Sequence, residues 1–403
     1  MKADWEAQSI ASFAKTGAGG TPKKSTKAFY EGGNIPWLLS GEVANANIVE
    51  AKNSITPEGL KGSSAKLFPA NSVLVAMYGA TAGQVGILRF EAATNQAVCA
   101  ILPSDQHIPE YLYYYLLHAK PSLVAQAVGN AQPNISQAKI KSLEIPLPPL
   151  EEQQRIVAVL DEAFEGLARA RAHTEANLQN ARELFERQLG EYFSDTPKEW
   201  LSRKLKQITS KIGSGATPRG GAGAYKNEGI SLIRSLNVHD RWFKEDKLAF
   251  IDDEQADKLS NVVIDERDVL LNITGASIAR CCVAPSGFLP ARVNQHVQII
   301  RPDHDVLSPE FLTLMLTSQP YKDGLLKTGE DNGSTRQALT KALIQNLEVA
   351  FPPELVQQEA AVATLEAAET KSKELAEAYQ AKIHDLDDLR QSLLQKAFAG
   401  ELT

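Results

Sequence analysis

Two loops in this 403-residue chain carry side chains suited to holding anions. Gly19–Trp37 reads GGTPKKSTKAFYEGGNIPW, and Gly215–Leu232 reads GATPRGGAGAYKNEGISL. Lys23, Lys24 and Lys27 crowd the first loop, with Tyr30 close behind. Arg219 and Lys226 occupy the second, with Tyr225. Turns of this kind can offer backbone N–H groups and cationic side chains to phosphate oxygens. A solvated turn whose lysines touch nothing is the competing reading. Neither loop ends in Gly-Lys-Ser/Thr, so neither is a nucleotide-binding P-loop.

Signatures of catalysis are missing. Adenine methylation calls for Asn/Asp-Pro-Pro-aromatic, but Leu147 and Phe351 precede Pro148-Pro149 and Pro352-Pro353. The run Asp252, Asp253 and Glu254 reads as a solvated face rather than a nuclease centre. Seven histidines show no metal spacing, and His173 and His384 fall on helical stretches. Three cysteines, Cys99, Cys281 and Cys282, form no disulfide framework or zinc pattern and read as buried small residues. No catalysis, metal or cofactor is expected in this chain. The polar start MKADWEAQSI and the absence of a long apolar run point to a cytoplasmic protein.

The net charge of −7 argues against nucleic acid, but its distribution does not. Residues 1–150 sum to +2 and residues 196–350 to +1; residues 151–195 and 351–403 each sum to −5. An acidic protein can still present a basic face.

The two loops belong to a tandem duplication. Thr21-Pro22 recurs as Thr217-Pro218, and Val73–Gly83 (VLVAMYGATAG) as Val269–Ala279 (VLLNITGASIA). Asn95-Gln96 recurs as Asn294-Gln295, Pro109-Glu110 as Pro309-Glu310, and Pro148-Pro149 as Pro352-Pro353. Each copy is a mixed α+β stretch, with short β-rich runs at 72–77 and 268–273 and helices opening at Pro109 and Pro309. A long amphipathic helix follows each copy. In the first helix Ile156, Leu160, Ala163, Leu167 and Ala170 begin an apolar seam. Leu178, Ala181, Phe185 and Leu189 resume it. In the second, Leu365, Ser372, Tyr379, Leu386 and Leu393 recur every seven residues, with Ala368, Leu375 and Leu389 between them. About 40 helical residues span roughly 60 Å. An antiparallel pair of the two helices is the leading reading; packing on each helix's own domain or on another subunit is the alternative.

These residues resemble the specificity subunits of type I restriction–modification systems. The resemblance covers nearly the whole chain. It rests on the Gly19–Trp37 loop and its weaker echo, on ISQAKIKSLEIPLPPLEEQQRIV at Ile135–Val157, and on LLQKAFAGELT at Leu393–Thr403. The second junction, Leu339–Val362, keeps Pro-Pro and Gln357-Gln358 but departs elsewhere. The implied fold is α+β: two tandem target-recognition domains separated by a long antiparallel two-helix coiled coil. The implied segments are residues 1–148, a spacer helix at 149–195, residues 196–351 and a distal spacer helix at 352–403. Implied partners are double-stranded DNA, two methyltransferase subunits and restriction/translocase subunits. S-adenosylmethionine, ATP and magnesium would then sit on the partners, and the assembled complex would be an adenine-N6 methyltransferase and endonuclease. A coiled-coil adaptor or anti-restriction protein that binds those subunits without reading DNA is the alternative.

On that reading, base edges would be met by amides, hydroxyls and arginines on loops after the core strands, since Arg suits guanine and Asn or Gln suits adenine. The candidates are Tyr78, Thr81 and Gln84 in the first copy, and Arg234, Asn237, His239, Ser277 and Arg280 in the second. The Asn-Gln pairs recur in both copies, so they read as structural hydrogen-bonding groups rather than discriminators.

Overall fold

A computed structural model describes residues 5–44, 46–125, 134–330 and 338–402. The chain divides into two compact units. The first comprises Met1–Glu175 with Ala381–Thr403, and the second comprises Ala176–Gln380.

Among its described residues the first unit holds two larger sheets and a two-stranded one, Ala7–Ser9 with Glu144–Pro146. One of the larger sheets has the order Thr16–Ala18, Val98–Ile101, Val73–Ala76, Val85–Leu88, Asn47–Ile48; the other runs Asn53–Ile55, Ile35–Leu38, Ala92–Thr94, Leu67–Phe68. Val73–Ala76 and Val98–Ile101 are buried along their whole length, as central strands covered on both faces must be. The helix Pro109–Ala125 covers this sheet with Tyr111, Leu112 and Leu116.

The second unit repeats the plan. Its sheets are ordered Thr209–Ser214, Val297–Pro302, Val269–Asn272, Cys281–Val283 and Ala249–Ile251, Ile230–Ile233, Ala291–Val293, Val263–Ile264. Pro309–Thr317 is the equivalent helix, N-capped by Ser308. A short hairpin, Val238–His239 with Trp242–Phe243, is paired in the second unit. All three cysteines are buried among apolar neighbours.

The long helices run Leu150–Ser194 and Leu355–Ala399. Within each unit they pair antiparallel. In the first, Arg390 lies over the Phe164 ring at 4.9 Å and Arg171 pairs with Asp387 at 2.5 Å. In the second, Ser372 Oγ donates to the Ala181 carbonyl, and Leu365 shares a core with Phe185 and Leu189.

The seam expected for the second helix needs correction at two intervening positions, while Leu365, Ser372, Tyr379, Leu386 and Leu393 are buried or half-buried. Leu375 and Leu389 lie 39% and 48% exposed, so neither belongs to the seam. Buried positions of this helix include Ala361, Ser372, Ile383 and Leu394, spaced by eleven. The first helix follows the same period: Ile156, Leu178 and Leu189 are buried, and Leu167 is half-buried. Thr174 and Phe185 repeat it one row over, so Thr174 fills what reads in the sequence as a polar gap. Eleven residues make three turns at 3.67 per turn, close to an unstrained helix, so the stripe stays on one face without the underwinding a heptad requires.

Each long helix is stapled to its own sheet domain by one buried glutamine. Gln153 accepts from the Ile108 N–H at 2.9 Å and donates to the carbonyls of Gln106 at 3.0 Å and Pro148 at 2.9 Å. Gln358 repeats this with Ser308 N–H at 2.8 Å and the carbonyls of Val306 and Pro352, both at 2.9 Å. Both side chains are inaccessible to solvent.

Candidate nucleic-acid interface

Three loops converge in each unit, and the main joints between them repeat. The turn after the central strand returns through Gly83 N–H to Ala76 O and Ala76 N–H to Gln84 O, at 2.8 and 2.9 Å. Its counterpart uses Ala279 to Asn272 and Asn272 to Arg280, both at 2.8 Å. Gly79 and Gly275 open these turns at φ 71° and 77°, in the left-handed region that glycine tolerates best. The strand ends are tied to the Asn-Gln turns by Met77 N–H to Ala97 O at 2.8 Å and Ile273 N–H to His296 O at 3.0 Å.

The Gly-Thr-Pro loop is held against that Asn-Gln turn. At Gly19 a Cβ would collide with the Thr94 and Asn95 carbonyls; at Gly215 it would collide with that of Val293. Thr21 Oγ1 donates to Gln96 Oε1, and Thr217 Oγ1 donates to Gln295 Oε1. Asn95 Oδ1 accepts from Ala97 N–H at 3.1 Å, and Asn294 Oδ1 from His296 N–H at 3.0 Å. The asparagines therefore shape the turn, while the glutamines stay exposed at its tip.

On this shared frame the loop tips differ. Tyr78, Thr81 and Gln84 stand where the second unit has Thr274, Ser277 and Arg280. Tyr78 is exposed, and Thr81 is half-buried with its hydroxyl on the Tyr78 carbonyl at 3.2 Å. Gln84 is half-buried, and its Oε1 is buried without a hydrogen-bond partner. Ser277 and Arg280 are half-buried; Arg280 reaches His239 Nδ1 at 3.5 Å.

Of the basic loop residues, Lys23, Lys24, Lys27 and Arg219 are exposed. Lys27 lies 3.8 Å from Glu31, an exposed pair of small energetic weight. Lys226 pairs with Asp252 at 3.1 Å, and that carboxyl also caps a short helix through the Gln255 N–H. Lys226 thus faces an acid. Thr217, Pro218 and Arg219 line a cavity with Asp252, Gln255 and Lys258.

Three candidates are engaged within the fold. Asn237 is fully buried; its amide accepts from Arg234 N–H at 3.2 Å and donates to the carbonyls of Lys244 at 2.9 Å and Asp246 at 3.3 Å. It shapes its own loop and cannot reach a base edge, which corrects the sequence expectation. Tyr30 donates its hydroxyl to the Pro22 carbonyl at 2.5 Å and sets its ring edge-on to Trp37, so it braces the lysine loop from behind. Arg234 lies over Tyr225 at 5.1 Å and donates to the Lys247 carbonyl.

His239 brings a feature the sequence did not announce. Its ring stacks on Trp242, with centroids 4.2 Å apart and planes 17° apart, and the indole is 53% exposed. The intervening turn is bolted down. Arg241, at φ 68°, reaches Glu186 at 2.5 Å and Glu369 at 3.4 Å, and Asp240 meets Lys322 at 2.6 Å. Among the described residues no cluster of three or more His, Cys, Asp or Glu side chains could hold a metal, and no helix is long and apolar enough to cross a membrane.

A duplicated loop frame with shared joints and divergent tips defines a protein with two related recognition surfaces. The chain belongs to the family described as the type I restriction modification DNA specificity domain, which matches residues 2–175 and 197–384. It is 30% identical over 161 residues to the EcoR124I/EcoR124II specificity subunit of Escherichia coli, covering 39% of this chain and 40% of that one. With the MjaIX specificity subunit of Methanocaldococcus jannaschii it shares 27% over 250 residues, 57% of each. It thus spans about half the length of these two relatives. The MjaVIII specificity subunit of the same organism aligns over 95% of this chain and 92% of its own length, at 22% identity. The fold is shared with the HsdS subunit from Thermoanaerobacter tengcongensis, at TM-score 0.65 and 20% identity over 100% of this chain and 98% of that one. A chain from a type I R-M system solved for its complex assembly and conformational transition gives TM-score 0.73 at 21% identity, covering 99% of this chain and 98% of the other.

Proposed function

We propose that this chain is the DNA-reading subunit of a type I restriction–modification complex, each unit reading one half of a bipartite, asymmetric site. The observation that carries this is the matched loop cluster: the same backbone in both units presents Tyr78 and Gln84 in one, and Thr274 and Arg280 in the other. Two readers on one frame with different tips suit two unlike half-sites. Phosphate contacts at Lys23, Lys24 and Arg219 would set register, and the tips would carry discrimination. Tethering makes the second half-site contact intramolecular, so two modest affinities combine.

The paired helices would set the gap between half-sites and dock two methyltransferase subunits, with restriction/translocase subunits joining for cleavage. S-adenosylmethionine, ATP and magnesium belong to those partners in this proposal, and the adenine-N6 methylation and the cleavage belong to the assembly. Coexpression with a cognate methyltransferase followed by methylome sequencing tests the proposal. The expected result is a bipartite motif with unlike halves; a continuous or palindromic motif refutes it.

A further inference from the structure

Gln96 and Gln295 keep their identity and their clamp while the tips beside them have diverged. In each, the amide oxygen is occupied by the threonine of the Gly-Thr-Pro loop. The threonine takes one lone pair of each amide oxygen and fixes the plane of the amide, and the amino group it leaves beside that oxygen can only donate. Gln96 Nε2 has no partner among the described residues; Gln295 Nε2 lies 3.1 Å from His296 Nε2, which steadies it further. Both glutamines are exposed. Exposed Lys23 and Lys24 follow the clamping threonine in the first unit, and exposed Arg219 follows it in the second.

A fixed donor repeated in two otherwise divergent readers suits an acceptor that every half-site possesses. Base-edge acceptors change position with sequence, whereas the non-bridging phosphate oxygens do not. We infer that Gln96 and Gln295 are matched phosphate-binding residues, one in each unit, that register the backbone before the tips read the bases. This rests on the DNA-reading function proposed above.

The test uses the full chain and several fluorescein-labelled duplexes of unrelated sequence, read by anisotropy across a salt series. Q96E and Q295E keep an acceptor for the threonine but turn an oxygen outward. Q96M and Q295M keep the length and remove both the donor and the oxygen that the threonine holds, so the glutamate variants, which keep that oxygen, separate the two. Each glutamate variant should bind about tenfold more weakly or worse, and each methionine variant several-fold more weakly, whatever the duplex sequence. The methionine variants should leave the slope of log K against log salt unchanged, because no cation is lost. Wild-type affinity in all four variants overturns the inference and leaves the clamp as an internal brace. Weakening confined to one base sequence overturns it in favour of base reading. A wild-type chain that ignores every duplex overturns the DNA-reading function itself, and this inference with it.

Discussion

Gln153→Ala is the sharpest probe of how the sheet domain holds its helix. The substitution removes three hydrogen bonds at once from a side chain with no solvent exposure. It strands the Ile108 N–H and leaves the Gln106 and Pro148 carbonyls short of a donor. A buried orphaned group costs about 1–3 kcal/mol, and carbonyls relax more readily than N–H groups, so a loss of about 3 kcal/mol is expected. The loss should be local to the first unit. Hydrogen exchange resolves this better than a single unfolding curve, because a two-unit chain need not unfold in one step. The Ile108 amide should exchange roughly a hundredfold faster, from about 1.4 kcal/mol per factor of ten. Amides near Ser308 should be unchanged, and Gln358→Ala should give the mirror result. Wild-type protection at Ile108 with a loss below about 1 kcal/mol would refute the staple.

Replacing Lys23, Lys24 and Lys27 by Ala should weaken duplex binding and flatten its salt dependence, by up to about 0.9 in slope for each phosphate no longer neutralised, with Lys27 contributing least; an unchanged slope in a salt titration removes the loop from the interface. Burial lowers the His107 pKa from its ordinary value of 6.5 to about 4. The unfolded chain therefore takes the proton first, and stability present above pH 6.5 should fall by about 3 kcal/mol as pH drops toward 4. H107F should lack that component, as urea melts at several pH values would show. Burial pushes the thiols of Cys99 and Cys282 up to about 12 and that of Cys281 upward. Iodoacetamide at pH 8 should label none of them in the native chain and all three in urea, as mass spectrometry would count.

What the sequence disclosed, and what it withheld, follows from the range of the interactions. The duplication was legible because backbone-critical residues such as Gly79 and Gly275, or Thr21 and Thr217, sit in register. The long helices were legible because their apolar stripe is local in the chain. In the second helix the seam is legible at Ser372, which is buried against the partner helix, but not at Leu375 and Leu389, which are apolar yet exposed. The Asn-Gln pairs are half legible: the asparagines do shape a turn, but the clamping of the exposed glutamines depends on a loop some 75 residues away along the chain. Asn237 reads as a base contact because residue type alone does not show that the backbone of its own loop takes up its amide. Arg241 was invisible as a strut because its carboxylate partners Glu186 and Glu369 lie far away along the chain.

The make-up of the first unit also bears on synthesis. Its core includes Leu394, Ala397 and Phe398, with the Phe398 ring edge-on to Tyr111 at 5.4 Å. Those residues leave the ribosome only after all of Ala176–Gln380 has emerged. The usual order, in which the N-terminal part matures first, is therefore inverted. The second unit can complete its core on the nascent chain while the first still waits for the apolar residues that close its core.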